Sequence, residues 1–110
     1  MSPPVGPVDA EHYTEQVLAA VEAIPPGHVQ TYGDIAAVLG RGGPRQVGQV
    51  MSRYGAAVAW WRVVRADGQP ARGHEEQALT RLRAEGTPLR TDRPDRVDLA
   101  RARLRPDGEP

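Results

Sequence analysis

The stretch PPGHVQTYGDIAAVLGRGGPRQVGQVMSRY, residues 25–54, decides the fold. Pro25-Pro26-Gly27 stops any helix that precedes it. His28-Val29-Gln30 reads as a short extended piece. Thr31 then opens a helix, with Asp34 three residues on in the relation of a capping box. Ile35, Ala36 and Leu39 form the inner face of that helix, and Gly40 closes it. Gly42-Gly43-Pro44 is a tight turn, and Pro44 suits the first position of the next helix. Val47, Val50, Met51 and Tyr54 give this second helix an apolar stripe, while Arg45, Gln46, Gln49, Ser52 and Arg53 lie mostly off it. Two short helices joined by a glycine-containing turn, the second polar and basic outside, form the helix-turn-helix pattern.

Upstream, Asp9 can cap a helix whose apolar positions Tyr13, Val17, Leu18, Val21 and Ile24 follow helical spacing. Residues 1–8 contain three prolines and read as a flexible lead-in. Downstream, residues 60–64 read as a strand. Neighbouring side chains on a strand point to opposite faces, so one core cannot absorb both Trp60 and Trp61. A turn at Ala66-Asp67-Gly68 and a loop through Pro70 and Gly73 follow. A helix from about His74 to Glu85 packs through Ala78, Leu79 and Leu82, and Gly86 ends it. Pro88-Leu89 and Val97-Asp98-Leu99 suggest short strands of a wing-like appendage, and residues 105–110 a flexible tail. The expectation is one α+β domain over residues 9–104, mainly helical, of the winged helix-turn-helix class.

Composition narrows the chemistry. The chain of 110 residues contains no cysteine, which removes disulfides, thiolate metal sites and thiol nucleophiles together. His12, His28 and His74 are far apart, without ligand spacing, so neither a metal nor another cofactor is expected. No apolar run is long enough to cross a membrane, and the N-terminus lacks the pattern of a signal peptide. A cytoplasmic protein is expected, nucleoid-associated if bacterial. The formal net charge is zero, but its distribution is uneven. Residues 1–40 carry five acids and no Arg or Lys. Residues 41–73 carry six arginines against Asp67 alone, a local balance of +5. A cluster of arginines can fork onto phosphates or stack on bases, so nucleic acid is a candidate partner.

Four segments carry a resemblance: PPGHVQTYGDIA (25–36), GPRQVGQVM (43–51), AWWRVV (59–64) and RAEG (83–86). In this order they resemble the DNA-binding domain of O6-alkylguanine-DNA alkyltransferases, over roughly residues 10–87. Those enzymes carry a Pro-Cys-His-Arg-Val motif whose cysteine accepts the alkyl group. Here Trp60 stands at the cysteine position and Trp61 at that of the histidine which helps form the thiolate. Alkyl transfer needs a nucleophile activated by a neighbouring base, and neither is present. Tryptophan at that position marks the alkyltransferase-like proteins, which bind O6-alkylguanine in DNA without repairing it and flag it for nucleotide excision repair. Their usual motif is Pro-Trp-His-Arg, so Ala59 and Trp61 are departures.

The resemblance implies roles for individual residues. Arg45 is the finger that enters the base stack and pairs or stacks with the orphaned cytosine. Tyr32 helps rotate the 3′ phosphate, and Gln46, Gly48, Gln49 and Arg53 lie on the helix that enters the minor groove. Trp60, Trp61, Arg62, Val63, Arg72 and Met51 are assigned to the alkylguanine pocket. Within that set Trp60 faces the base, Trp61 packs into the core behind the strand, and Arg62 ties the strand to its surroundings. The implied partners are duplex DNA with O6-alkylguanine lesions and nucleotide excision repair proteins, met by a monomer. The residues read without the resemblance also allow a small winged-helix transcription regulator that binds undamaged DNA.

Overall fold

The computed structural model describes the backbone of residues 7–105 and side chains from residue 11 onward. Most of the expected lead-in and tail lies outside the described residues. The first helix, α1, spans Pro7–Glu22 and so begins two residues before Asp9. Proline is favoured in a first turn because its missing N–H would have no helical partner there. Val17 and Val21 bury one face of α1, Ile24 just beyond its end continues that face, and Tyr13, Leu18 and Ala20 flank it. Pro25 and Pro26 lack the N–H groups needed to prolong it.

The extended piece is a two-residue strand, β1 (Gln30–Thr31), and helix α2 follows directly at Tyr32–Leu39. The capping box is formed: Asp34 N donates to Thr31 Oγ1 and Thr31 N donates to Asp34 Oδ2, both at 3.0 Å. Helix α3 spans Pro44–Tyr54 with Pro44 in its first turn. Val47 and Val50 join Ile35, Ala36 and the α1 side chains in the main core, with Met51 packed at its edge. Tyr54 departs from the expected stripe and is 50% exposed. The turn between α2 and α3 requires Gly42. Its φ is +72°, and a Cβ there would lie 2.3 Å from Tyr13 Oη.

Residues 60–64 do not form one strand. Gly55–Ala57 and Trp60–Arg62 are short 3₁₀ turns, and only Val63–Val64 is extended, as strand β2. β2 pairs in parallel with β1 in the register Gln30↔Val63 and Thr31↔Val64. The cause is a missing partner: pairing Trp60–Arg62 in that register would require residues 27–29 to run extended. Gly27 instead turns at φ +87°.

Helix α4 (Glu75–Ala84) buries Ala78, Leu79 and Leu82, as its periodicity predicts. Beyond it, Leu89 and Val97 form an isolated antiparallel bridge, the base of a wing-like loop. Gly68 lies against this loop at φ +87°, where a Cβ would come within 2.6 Å of Val97 O. The expected strand at residues 97–99 is corrected. Asp98 instead precedes a short helix, α5 (Leu99–Ala102), and Ala102 N donates to Asp98 O at 2.9 Å. The chain then returns beside β1, with Val29 N donating to Ala102 O and Leu104 N to Val29 O. A second core of Val29, Val64, Leu82, Val97 and Ala102 fills the space between these parts.

Candidate nucleic-acid interface

Helix α3 separates two hollows, and the sequence-predicted residues divide between them. On one side a cleft of about 460 Å³ lies between α3, the 3₁₀ turns and the start of α4. Tyr32, Gly48, Met51, Trp60 and Arg72 all line it. Residues from four separate segments of the sequence therefore meet in one place. On the other side, between α3 and α1, a groove of about 650 Å³ is lined by Gln46, Gln49 and Arg53 together with Glu11 and Glu15. Arg45 is exposed in the first turn of α3, next to Gly43-Pro44. Gln46 has a local task, since its Oε1 accepts from Gly43 N at 2.9 Å and so steadies the turn.

The two indoles are perpendicular to one another, with centroids 5.9 Å apart and planes at 85°. They separate through the 3₁₀ turn rather than through strand alternation. Trp60 faces the cleft, and Trp61 packs against the second core. Trp61 therefore stands behind the cleft, not in its wall. It lies under two guanidinium groups, Arg81 at 4.5 Å and Arg62 at 5.5 Å from the ring centroid.

Arg62 and Val63 are also corrections to the pocket set. Val63 is fully buried in the main core and reaches no cleft. Arg62 is a clamp: Nε and Nη2 donate to Glu85 Oε1 and Oε2 at 3.0 and 2.5 Å, and Nη1 donates to Ile24 O at 2.9 Å. It binds the turn carrying Trp60 to the end of α4 and the last residues after α1. The Arg62 hydrogen bonds hold the Glu85 carboxyl below the usual carboxylate range against the opposing effect of burial, and the guanidinium charge adds to the lowering.

Tyr32 sits at the start of α2, and burial raises its phenol above its ordinary value while the charge of Arg65 pulls the other way. Beside it, Asp34 is buried. Burial alone would raise its carboxyl, but hydrogen bonds from Arg103 and Thr31, with the Arg103 charge, outweigh that and hold it low. Gly48 is informative for a different reason. A Cβ built there meets no described atom within 4 Å, so no contact among the described residues demands glycine. Its other reading, as a residue that allows close helix packing, finds no support in the surrounding atoms.

Sequence reasoning missed three polar contributors to the cleft. Ser52 is on the α3 wall, and His74 and Gln77 belong to the start of α4. The His74 ring meets Trp60 edge-on at 5.8 Å and 65°. In the sequence His74 reads only as the start of a helix, and nothing local announces its neighbour 14 positions earlier.

Residues 12–87 match the family model described as 6-O-methylguanine DNA methyltransferase, DNA binding domain. The chain belongs to this family. With no cysteine in its sequence, it is an alkyltransferase-like member of the 6-O-methylguanine DNA methyltransferase group. Among curated relatives, a DNA base-flipping protein of Escherichia coli (strain K12) is 41% identical over 61 residues, 53% of this chain and 47% of the relative. The matched region is thus about half the length of that relative. A DNA base-flipping protein of Vibrio parahaemolyticus serotype O3:K6 is 32% identical over 81 residues, 69% of this chain and 81% of the relative. Among solved structures, the fold is similar to S. pombe Atl1 in complex with damaged DNA containing O6-carboxymethylguanine. There the TM-score is 0.63 at 35% identity, over 69% of this chain and 77% of that one. A second complex of S. pombe ATL with DNA gives 0.64 at 33%, over 73% and 81%. The family match ends at residue 87, so the wing, α5 and Arg103 lie outside it.

Proposed function

We propose that this chain binds duplex DNA containing O6-alkylguanine, turns the modified base into the Trp60 cleft and holds it there without removing the alkyl group. One observation carries the reading: an indole faces a cleft at the motif position where the alkyltransferases place their acceptor cysteine. Extruding a base costs a few kcal/mol, less when its pair is already weakened. Stacking on an aromatic ring returns about 1–3 kcal/mol per base. Arg45 fills the vacated place in the stack, and Tyr32 guides the flanking phosphate. Gly48 gives the sugar–phosphate backbone room to approach α3, a use consistent with the empty space around it. Arg72, at the cleft rim, reaches the face of the extruded base. The names and bound DNA of the relatives support this reading.

Transfer is not part of it, because no thiol exists in the chain to accept the alkyl group. A base held but not repaired must be passed on, and nucleotide excision repair is the recipient the family resemblance implies. The protein acts as a monomer in this scheme, and Trp60→Cys does not restore transfer, since Trp61 cannot serve as the base. The test is a titration of matched duplexes with and without O6-methylguanine at several salt concentrations. Tighter binding of the lesion duplex is expected at every salt. Equal affinity for both would sink the proposal, and a preference for one undamaged sequence would favour the transcription-regulator reading.

A further inference from the structure

Base flipping as proposed uses Trp60, Tyr32, Arg72 and the close approach at Gly48. It gives no role to the wall supplied by the start of α4. That wall carries His74 and Gln77, with Arg72 just before them. His74 and Gln77 are three residues apart, so they share one face of the helix start. The edge-on contact of His74 with Trp60 brings this polar wall to the rim of the stacking surface itself. All three side chains are hydrogen-bond donors: a guanidinium fork, an imidazole N–H in either protonation state, and an amide NH2. Among the described residues none of them spends its donors on an ion pair or hydrogen bond within the chain. No described residue lining the cleft is acidic, and Glu75 and Glu76 of the same helical turn are exposed outside it.

We infer that this wall makes the cleft selective for O6 substituents that end in hydrogen-bond acceptors, a carboxylate above all, over hydrocarbon substituents of the same size. A hydrocarbon tail would strip water from three donors and leave them unpaired, whereas a carboxylate accepts from them. The inference rests on the base-flipping reading and names the class of lesion that the cleft prefers.

The experiment uses the full chain and three duplexes differing at one position: guanine, O6-propylguanine, and O6-carboxymethylguanine, which is of about the same size as the propyl adduct but anionic. Affinities are measured by fluorescence anisotropy at one salt concentration. The carboxymethyl duplex is expected to bind ~10-fold more tightly than the propyl duplex, the effect of one well-made charge-assisted bond. His74→Phe keeps a ring against Trp60 and, because the His74 side chain does not cap α4, leaves that helix its start. It should shrink the gap from both sides, weakening the carboxymethyl duplex and tightening the propyl one, and Gln77→Leu should shrink it further. If both adducts bind equally and each more tightly than guanine, the selectivity is wrong while the lesion reading stands. A gap that survives His74→Phe with Gln77→Leu overturns the assignment of this selectivity to His74 and Gln77. If neither adduct outbinds guanine, both readings fall.

Discussion

On one side of α3 lies the Trp60 cleft, about 460 Å³; on the other, against α1, lies a groove of about 650 Å³. The larger hollow is the worse receptor for a nucleotide. Glu11 and Glu15 stand on its rim, and Tyr13 and Tyr54 supply its aromatic surface. The smaller one has no acid among its described lining residues and is walled by Trp60, Arg72 and His74. A polyanion discriminates by charge before size, because each uncompensated carboxylate near a phosphate raises the cost of approach. The contrast also explains why α3 is amphipathic in an unusual sense: its buried stripe of Val47 and Val50 divides two wet faces of opposite character.

The contrast can be broken most severely at Arg62, which fixes the turn that carries Trp60. The pair with Glu85 is 14% and 16% exposed, so Arg62→Ala strands a carboxylate and should cost about 3 kcal/mol of stability, measurable by urea unfolding. The pH dependence has a definite sign. Glu85 is held below its unfolded value near 4.3, so the clamp contributes fully above that value and is lost as pH falls through the lower folded one. Thermal stability of the native chain should therefore drop below about pH 4, and its lead over Arg62→Ala should narrow there.

Next in size is Trp60→Ala, which removes the proposed stacking surface while leaving the buried core residues in place. Lesion preference should fall by about 10- to 100-fold, corresponding to about 1–3 kcal/mol of stacking, in the same duplex titrations. Arg45→Ala should weaken lesion binding by about 10-fold while leaving undamaged DNA less affected, because a finger in the stack is needed only when a base has left it. An equal loss on both duplexes would reduce Arg45 to a phosphate contact. Smallest is Glu11→Gln with Glu15→Gln in the opposite groove. Affinity should rise by no more than about twofold at low salt and stay unchanged at high salt. A larger change would mean that the acidic groove meets DNA directly.

Much of this was legible in the residues. The Thr31–Asp34 box, Gly40, the Gly42-Gly43-Pro44 turn and the valine spacing place α2 and α3 with little ambiguity, since each signal is local. The Trp60 position and its companions Tyr32, Gly48 and Met51 fall within the motifs, while Arg72 lies outside them and rests on the resemblance across the loop that follows; all five line the cleft. What failed depends on distant partners. The strand at residues 60–64 was read from composition, yet a strand needs an extended neighbour, and the glycine turn at Gly27 denies it one. Val63 adjoins the motif tryptophans in sequence but points into the core, whereas Arg62 ties its turn to Glu85 much as its expected structural role implied. α5 was hidden because Asp98 begins a helix of only four residues, set by the return of the chain to Val29. His74 was missed because its contact with Trp60 is purely tertiary.

The two tryptophans allow the central claim to be measured with no added label, since the chain contains no others. Trp61→Phe leaves Trp60 as the sole indole, and Trp60→Phe leaves Trp61. Titrating each with a duplex containing O6-methylguanine should quench the emission of the Trp60 chain in step with binding, with little response to undamaged duplex and little change in the Trp61 chain. An unresponsive Trp60 beside a responsive Trp61 would contradict the assignment of Trp60 as the surface on which the extruded base rests.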